Sequence, residues 1–454
     1  MISEPSTISV VSPVAQQERI SMLDSLRGIA ILGILLMNIP GFALPQNQAS
    51  DPSVLNETGL NFKTWYFIEL VLTGTQRAFF SMLFGAGIIL FLSRLEKKVP
   101  GYMAAEYFFR RQLWLLVFGL FNAYVLLWFW DILFAYAICG MILFAFRRLS
   151  PKALLIGALV SLLFMTLREN RDLYLDKETI AKGERIARID TNSTKLTDQQ
   201  KEDLDAMLAF KEKASHEGKV KASAKEVRNI QGRYDRLYAY QSEKSLHVEL
   251  YYTFFLIWDI LLFMFLGMAF FKNGILIGKA SNKIYWIMCI GGLTLGFALT
   301  YLHLQPIIET SFNEYNYSKR VFVEYFQLSR MLRSIGFFGL VMLLYKSGWF
   351  KWLFALLRPV GQMAFTNYLM QSLMCGLFFY GIGFGMFGKL QRYEIYYVVG
   401  AVWIIEIIWS HIWLRHFRFG PLEWLWRSLT YWKKQPMKYS EQVKESKQTP
   451  EPVS

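Results

Sequence analysis

The sequence predicts an all-α fold, a polytopic transmembrane helix bundle of about ten spans. Both termini are expected in the cytoplasm, with an external charged helical insertion. Three observations predict it. Of 454 residues, 54% are apolar and only 19% are charged, against about 45–50% and about 25% in a soluble domain. Residues 1–19, 168–249 and 433–454 are polar, so the remainder is more apolar than any soluble core. Lysine and arginine also gather on alternate loops. This balance excludes a soluble enzyme, a disordered chain and a nucleic-acid binder. The net charge of +14 reads as basic cytoplasmic loops, not as a phosphate-binding surface.

Residues 1–21 form a polar cytoplasmic segment. The first apolar run follows Arg19 and Arg27 with no small-residue cleavage site after it, so it is expected to be a retained span, not a signal peptide. A hydrocarbon core of about 30 Å asks for about 20 apolar residues per helix. Such runs fall at 22–44, 75–94, 108–129, 131–147 and 151–167, the N-terminal half (22–167). A second set falls at 250–271, 284–303, 323–345, 363–387 and 394–414, within the C-terminal half (250–432). An amphipathic stretch at 61–73, with Trp65, Tyr66 and Phe67, is expected along the interface. With the N-terminus inside, inner loops hold 19 Lys or Arg, from Arg94 to Lys434, while short outer loops hold 5. The bias repeats loop by loop, and it places both termini in the cytoplasm.

The insertion 168–249 carries 17 Lys or Arg and 16 Asp or Glu. It lies outside by parity, and long loops translocate regardless of charge. Thr197 and Gln200 have capping-box spacing. Val227, Ile230, Tyr234, Leu237 and Tyr238 form the stripe of a second helix, with Gly218 between the two. A solvated helical hairpin is expected, and the sharper reading is a lid or partner-binding domain. The tail 433–454 is polar and expected to be disordered.

Ionisable groups at membrane depth are costly, so each is a candidate for function beside its structural reading as a paired or snorkelling charge. Asp24 and Arg27 share a helix face at i and i+3. Asn38 lies further along the same helix, where packing glue is the ordinary role of a buried amide. Arg77 and Asp131 begin the second and fourth spans at matching depth and could pair. Arg330 and Arg333 lie within the eighth span on one face. They require a carboxylate such as Glu324 or Glu309, or a bound anion in a polar cavity. His216 and His247 fall in the insertion, while His303, His411 and His416, at span ends, read as interfacial residues. Cys139, Cys289 and Cys375 lie in separate apolar runs, so inert buried thiols are expected, and no metal spacing occurs. Gly383, Gly385 and Gly388 fit G-x-G-x-x-G but follow no strand, so the dinucleotide reading fails. Gly292 and Gly296 read as tight helix packing.

Three stretches carry a resemblance: RISMLDSLRGIAILGILLMNIPGFALP at 19–45, FFSMLFGAGIILFL at 79–92, and VGQMAFTNYLMQSLMCGLFFYGIGFGMFGKL at 360–390, the last followed by WLRHFRFGPLEWLWRSLTYW at 413–432. They resemble the YeiB-like bacterial membrane proteins, the domain-of-unknown-function 418 family. The opening LDSLRG is also similar, more distantly, to transmembrane acyltransferases. That likeness implies a helix bundle moving an acyl group from a cytoplasmic donor, acyl-CoA, to an acceptor on the far side, with no tightly bound cofactor. Asp24, Arg27 and Gly28 match the opening motif. The acetyltransferase pattern has a histidine soon after its first span, and none lies between Asn38 and Phe80 here. Where related sequences read His and then Trp-Gly-Asp, this chain has Asn122 and Trp-Phe-Trp-Asp at 128–131. Asn122 cannot serve as a base.

Two readings follow for a multi-pass protein of the bacterial inner membrane. In a transmembrane acyltransferase, Arg27 steadies the anionic donor, and Asp131 acts as acceptor base or orienter with Arg77 as its partner. In a transporter or lipid flippase, Arg77, Arg330 and Arg333 bind an anionic lipid, acyl or small-molecule ligand. A non-catalytic regulator is the third. The expected partner is the lipid bilayer, with no nucleic acid, and oligomers are compatible with the sequence.

Overall fold

The computed structural model describes residues 21–99, 102–189 and 195–438. Residues 1–20 of the expected polar segment 1–21, and 439–454 of the expected disordered tail 433–454, lie outside the described residues. Within the tail, however, the Met437 carbonyl accepts from the Arg418 N–H at 2.9 Å. Among the described residues, every regular element is helical. The order is α1 (Ser21–Ala43), α2 (Gln46–Ser50), α3 (Gly59–Phe67), α4 (Thr75–Lys98), α5 (Met103–Tyr124), α6 (Leu133–Phe146), α7 (Pro151–Ile186), α8 (Asp198–Ala214) and α9 (His216–Ile230). Then come α10 (Tyr234–His247), α11 (Thr253–Lys272), α12 (Asn282–Glu309), α13 (Glu314–Arg320), α14 (Phe326–Ser347), α15 (Lys351–Gln362), α16 (Ala364–Phe379), α17 (Ile395–His416) and α18 (Pro421–Tyr431).

Seven helical runs among the described residues are long and apolar enough to cross a membrane: α1, Gly59–Lys98, α7, Tyr234–Lys272, α12, α14 and α17. The expected spans at 108–129, 131–147 and 363–387 fall on helices that do not reach this length or apolarity. With 14 residues, α6 extends roughly 21 Å, short of a core of about 30 Å. Glu106, Arg110 and Arg111 occupy the first half of α5. Apolarity at 108–129 continues past the helix end at Tyr124, and at 363–387 past Phe379; hydropathy does not register such breaks. α16 is shielded by its neighbours, with 11 of its 16 residues buried. The stretch at 61–73 belongs to α3 and a π turn at Ile68–Leu72, which lead into α4.

Close backbone contact holds these helices together. Gly85 on α4 faces the Met264 backbone of α11, and Gly267 on α11 faces that of Met82, leaving no room for a Cβ on either. Gly292 and Gly296 press α12 against Gly336 and Arg333 of α14, the small-residue packing expected in a membrane.

The insertion departs from a simple hairpin. α7 runs unbroken for 36 residues from bundle to insertion, and α10 continues through a π turn into α11. The Thr197–Gln200 capping box forms at the start of α8. The next break comes at Ser215, the N-cap of α9, so Gly218 lies inside a helix. The apolar stripe is divided between α9 and α10 at Gln231–Arg233. Ile230 and Leu237 are buried with Ile39, Phe42, Trp128, Tyr380 and Phe387, so this part of the insertion docks on one end of the bundle. That is the insertion end.

Basic side chains gather at the other end. Arg147 Nε donates to Glu96 at 3.0 Å, and Lys272 Nζ donates to the Arg147 and Leu149 carbonyls at 2.8 and 2.6 Å. Arg110 donates to the Thr430 carbonyl at 3.3 Å, and Lys346 to that of Ala280 at 2.8 Å. The basic loops thus meet at one end, as their alternation predicts.

Candidate functional site

At this basic end, α1, α4, α5, α16 and α18 enclose a cavity of about 260 Å³. Arg27, Arg94, Arg111 and Arg427 line it together with Asp24 and Glu423, so four guanidiniums face two carboxylates. Phe80, Leu83, Phe84 and Leu115 supply apolar wall. Arg94 and Phe80 are 14 residues apart on α4, roughly 21 Å along the axis, so the cavity has a charged mouth and an apolar length. Arg27 donates to Asp24 at 2.9 Å, and Asp24 also accepts from Gln362 Nε2 at 3.3 Å. The Arg111 guanidinium lies 3.7 Å from the Trp426 ring centroid, and the Trp426 indole N–H donates to the Arg111 carbonyl at 2.9 Å. Such stacking occupies the face of a guanidinium and leaves its N–H edge for an anion. Glu423 accepts from the Phe365 and Thr366 backbone N–H groups at 2.8 and 3.0 Å and from the Thr366 hydroxyl at 2.5 Å. It therefore anchors the start of α16. Removal from water pushes its carboxyl above the usual range, against these bonds, which favour the ionised form.

Tyr368, one turn further along α16, also lines the cavity. Its hydroxyl donates to Asp131 Oδ1 at 3.2 Å and accepts from the Ile132 N–H at 3.3 Å. Asn122 Nδ2 donates to the same carboxylate oxygen at 2.7 Å, and the Phe134 N–H donates to Oδ2 at 2.9 Å. Asp131 thus caps α6 from the loop that joins it to α5. That loop holds Leu127 at φ 59°, a left-handed backbone rare for a branched side chain. Trp128 stacks on Phe42 at 3.7 Å. Asn122 Oδ1 and Trp128 Nε1 are buried without a partner among the described residues.

Arg77 does not pair with Asp131. Asp259 on α11 accepts from Arg77 at 2.7 Å and from Arg330. Arg330 also donates to Gln327 at 2.8 Å. Arg333 donates to the carbonyls of Glu69, Leu70 and Thr73 at 3.1, 2.8 and 3.2 Å. It satisfies backbone that the π turn and the kink at Gly74 release from the α-helical pattern. Neither Glu309 nor Glu324 serves these arginines, because Glu309 pairs with Arg320 and Glu324 with His303, the latter at 3.1 Å. Arg77, Arg330 and Arg333 line neither the basic-end cavity nor one of about 560 Å³ at the insertion end. Asn38 is half-buried on α1 and lines neither.

The structure therefore places Asp24 and Arg27 on the cavity wall, and joins Asp131 and Asn122 to it through the Tyr368 hydroxyl. Arg77 and Arg330 meet at Asp259 apart from the cavity, and Arg333 holds the backbone of residues 69–73. Sequence depth alone misses Asp259, although it is the one acid in the apolar run 250–271. Its Trp258-Asp259-Ile260 repeats Trp130-Asp131-Ile132, and that was the available signal. Tyr368, Arg111 and Glu423 gave none, since a tyrosine in an apolar helix and charges beside a span are ordinary.

A family model described as "Protein of unknown function (DUF418)" matches residues 270–433. The chain is 30% identical over 423 residues to "Uncharacterized protein YeiB" of Escherichia coli (strain K12), covering 91% of this chain and 96% of that protein. It is 29% identical over 456 residues to "Uncharacterized protein YxaH" of Bacillus subtilis (strain 168), covering 95% and 98% respectively. No solved structure matches the chain.

Proposed function

Because the chain belongs to the DUF418 family, with YeiB of Escherichia coli, we propose that it is a multi-pass protein of the bacterial cell membrane that transfers an acyl group from an anionic cytoplasmic donor. The basic end faces the cytoplasm, and the acceptor approaches Asp131 from the insertion end. One observation carries this reading. The arginine-lined cavity reaches Tyr368, whose hydroxyl is bonded to Asp131. In an acyl-CoA donor, phosphates would meet Arg27 and Arg111, and the acyl arm would lie against Phe80, Leu83 and Leu115. The acceptor oxygen or nitrogen forms the new bond to the acyl carbon while the thioester C–S bond breaks. Its proton passes to Asp131 and then to the leaving sulfur. Asn122 cannot accept a proton, so it and Tyr368 hold the carboxylate in place.

The test uses purified full-length protein with acyl-CoA. Binding should stabilise the fold thermally. Arg27→Ala and Arg111→Ala should each weaken binding about tenfold, for the loss of about 1.4 kcal/mol of charge-assisted bonding. Asp131→Asn should bind but not transfer. Absence of acyl-CoA binding by a folded chain overturns the reading.

The same charged mouth and apolar length suit an anionic lipid, which supports a transporter or flippase as the second reading. In vesicles, translocation of labelled phosphatidylglycerol with no covalent change would select it.

A further inference from the structure

Glu406 lies at the middle of α17, roughly 15 Å from either helix end, and is fully buried. Isoleucines 404, 405, 407 and 408 flank it. Its partner is Gln371 on α16, whose Nε2 donates to Glu406 Oε2 at 3.1 Å and to the Ile31 carbonyl of α1 at 3.2 Å. Both N–H bonds of the amide are then used. Gln371 Oε1 and Glu406 Oε1 remain, buried, with no donor among the described residues. An ionised carboxylate and an amide oxygen are both acceptors, so neither can satisfy the other. A proton on Glu406 Oε1 makes that atom a donor and lets the two side chains form a complementary acid–amide pair. The titratable neighbour is Cys375 on α16, while α1 and α15, which also pack against α17, bring no charged group against Glu406 among the described residues. A bare carboxylate among apolar side chains would lack the pairing that buried charges require.

We propose that Glu406 and Gln371 form an exchangeable proton-binding site at the centre of the bundle. The site is independent of the acyl-transfer reading, and a proton-driven transporter would need a group of this kind. Ionisation leaves Oε1 of the carboxylate without a donor, so it must draw water in or part α17 from α16.

The test is infrared difference spectroscopy on the full chain in lipid nanodiscs, wild type against Glu406→Gln. The glutamine keeps an amide acceptor and donor in place, so the variant should fold with a nearly unchanged thermal midpoint. Expected is a carboxylic-acid C=O band at neutral pH that is missing in Glu406→Gln, shifts in D2O and fades as pH rises. Gln371→Leu, with the amide removed, should move the same band to higher frequency, and it provides the comparison if Glu406→Gln fails to fold. The absence of such a band overturns the proposal. So does a band that neither D2O nor alkali alters, or one that Gln371→Leu leaves in place.

Discussion

Replacing Asp259 with asparagine keeps the side-chain shape and removes the charge that Arg77 and Arg330 share. The two arginines differ in what they can do next. The Arg330 side chain is 2% exposed and cannot turn to water, whereas that of Arg77 is 37% exposed and can. Stranding one partner of a buried pair costs roughly 3–5 kcal/mol, and a partly exposed contact contributes about 1 kcal/mol or less. Asp259→Asn should therefore destabilise by about 3–5 kcal/mol, nearly all of it through Arg330. Arg330→Met leaves Asp259 still paired with Arg77 and should cost less. The double variant holds no stranded buried charge, so it should be little worse than Arg330→Met alone. That non-additivity should amount to about 2 kcal/mol or more. Equilibrium denaturation of the four chains at matched detergent and protein concentration measures it. If Asp259→Asn costs under about 1 kcal/mol, or if the four corners add, the buried joint is not what holds α4, α11 and α14 together.

Asp131→Ala removes a helix cap, about 1 kcal/mol, and strands the Asn122 and Tyr368 donors at about 1–3 kcal/mol each; Asp131→Asn should recover much of that stability in the same denaturation assay. Gly267→Val forces a side chain into the Met82 backbone and should cost about 3 kcal/mol. Gly291→Ala, whose Cβ meets nothing within 4 Å, should be neutral or stabilise by up to about 1 kcal/mol. Burial pushes the Glu324 carboxyl up, but hydrogen bonds from His303 and Tyr317 outweigh it and hold the group below its ordinary value. A lowered folded value stabilises the fold above the unfolded value of about 4.3, and that contribution is lost as pH falls through the lowered one. Thermal midpoints from about pH 6 to about pH 3 should therefore fall more steeply for wild type than for Glu324→Gln. Parallel curves would contradict the assignment.

The Trp-Asp-Ile repeat marks the line between what the sequence disclosed and what it did not. Class and the gathering of basic loops follow from composition and period, because hydrocarbon forces backbone bonds to close within each helix. Which acid meets which arginine does not follow, because depth along a span leaves rotation about the helix axis undetermined. Asp131 and Asp259 occupy equivalent places in the same tripeptide. Yet one caps α6 beside Tyr368, and the other turns toward Arg77 and Arg330. Asp24 and Arg27 were legible because three residues on one helix fix both depth and face. Tyr368 was not, since only α5, α6 and α16 together make it the link between cavity and carboxylate.

α16 shows why buried polarity is a weak guide to function in this chain. Lipid gives helices no hydrophobic reason to associate, so hydrogen bonds and small residues must join them. Thr366 ties α16 to α18 through Glu423, Asn367 ties it to Ser410 and Trp409 of α17, and Gln371 ties it to Ile31 of α1 and Glu406. For Thr366 and Asn367 these bonds explain the residue without any ligand. Tyr368 makes the same kind of tie, to Asp131, but of these four it alone also forms cavity wall. Being both tie and wall separates Arg27 and Tyr368 from Arg330 and Arg333, which are fully buried but line neither cavity. Substitutions at Thr366 and Asn367 should therefore change stability and leave the response to an acyl-CoA donor intact. At Tyr368, Phe should keep the wall, lose the bond to Asp131, and lower turnover more than binding.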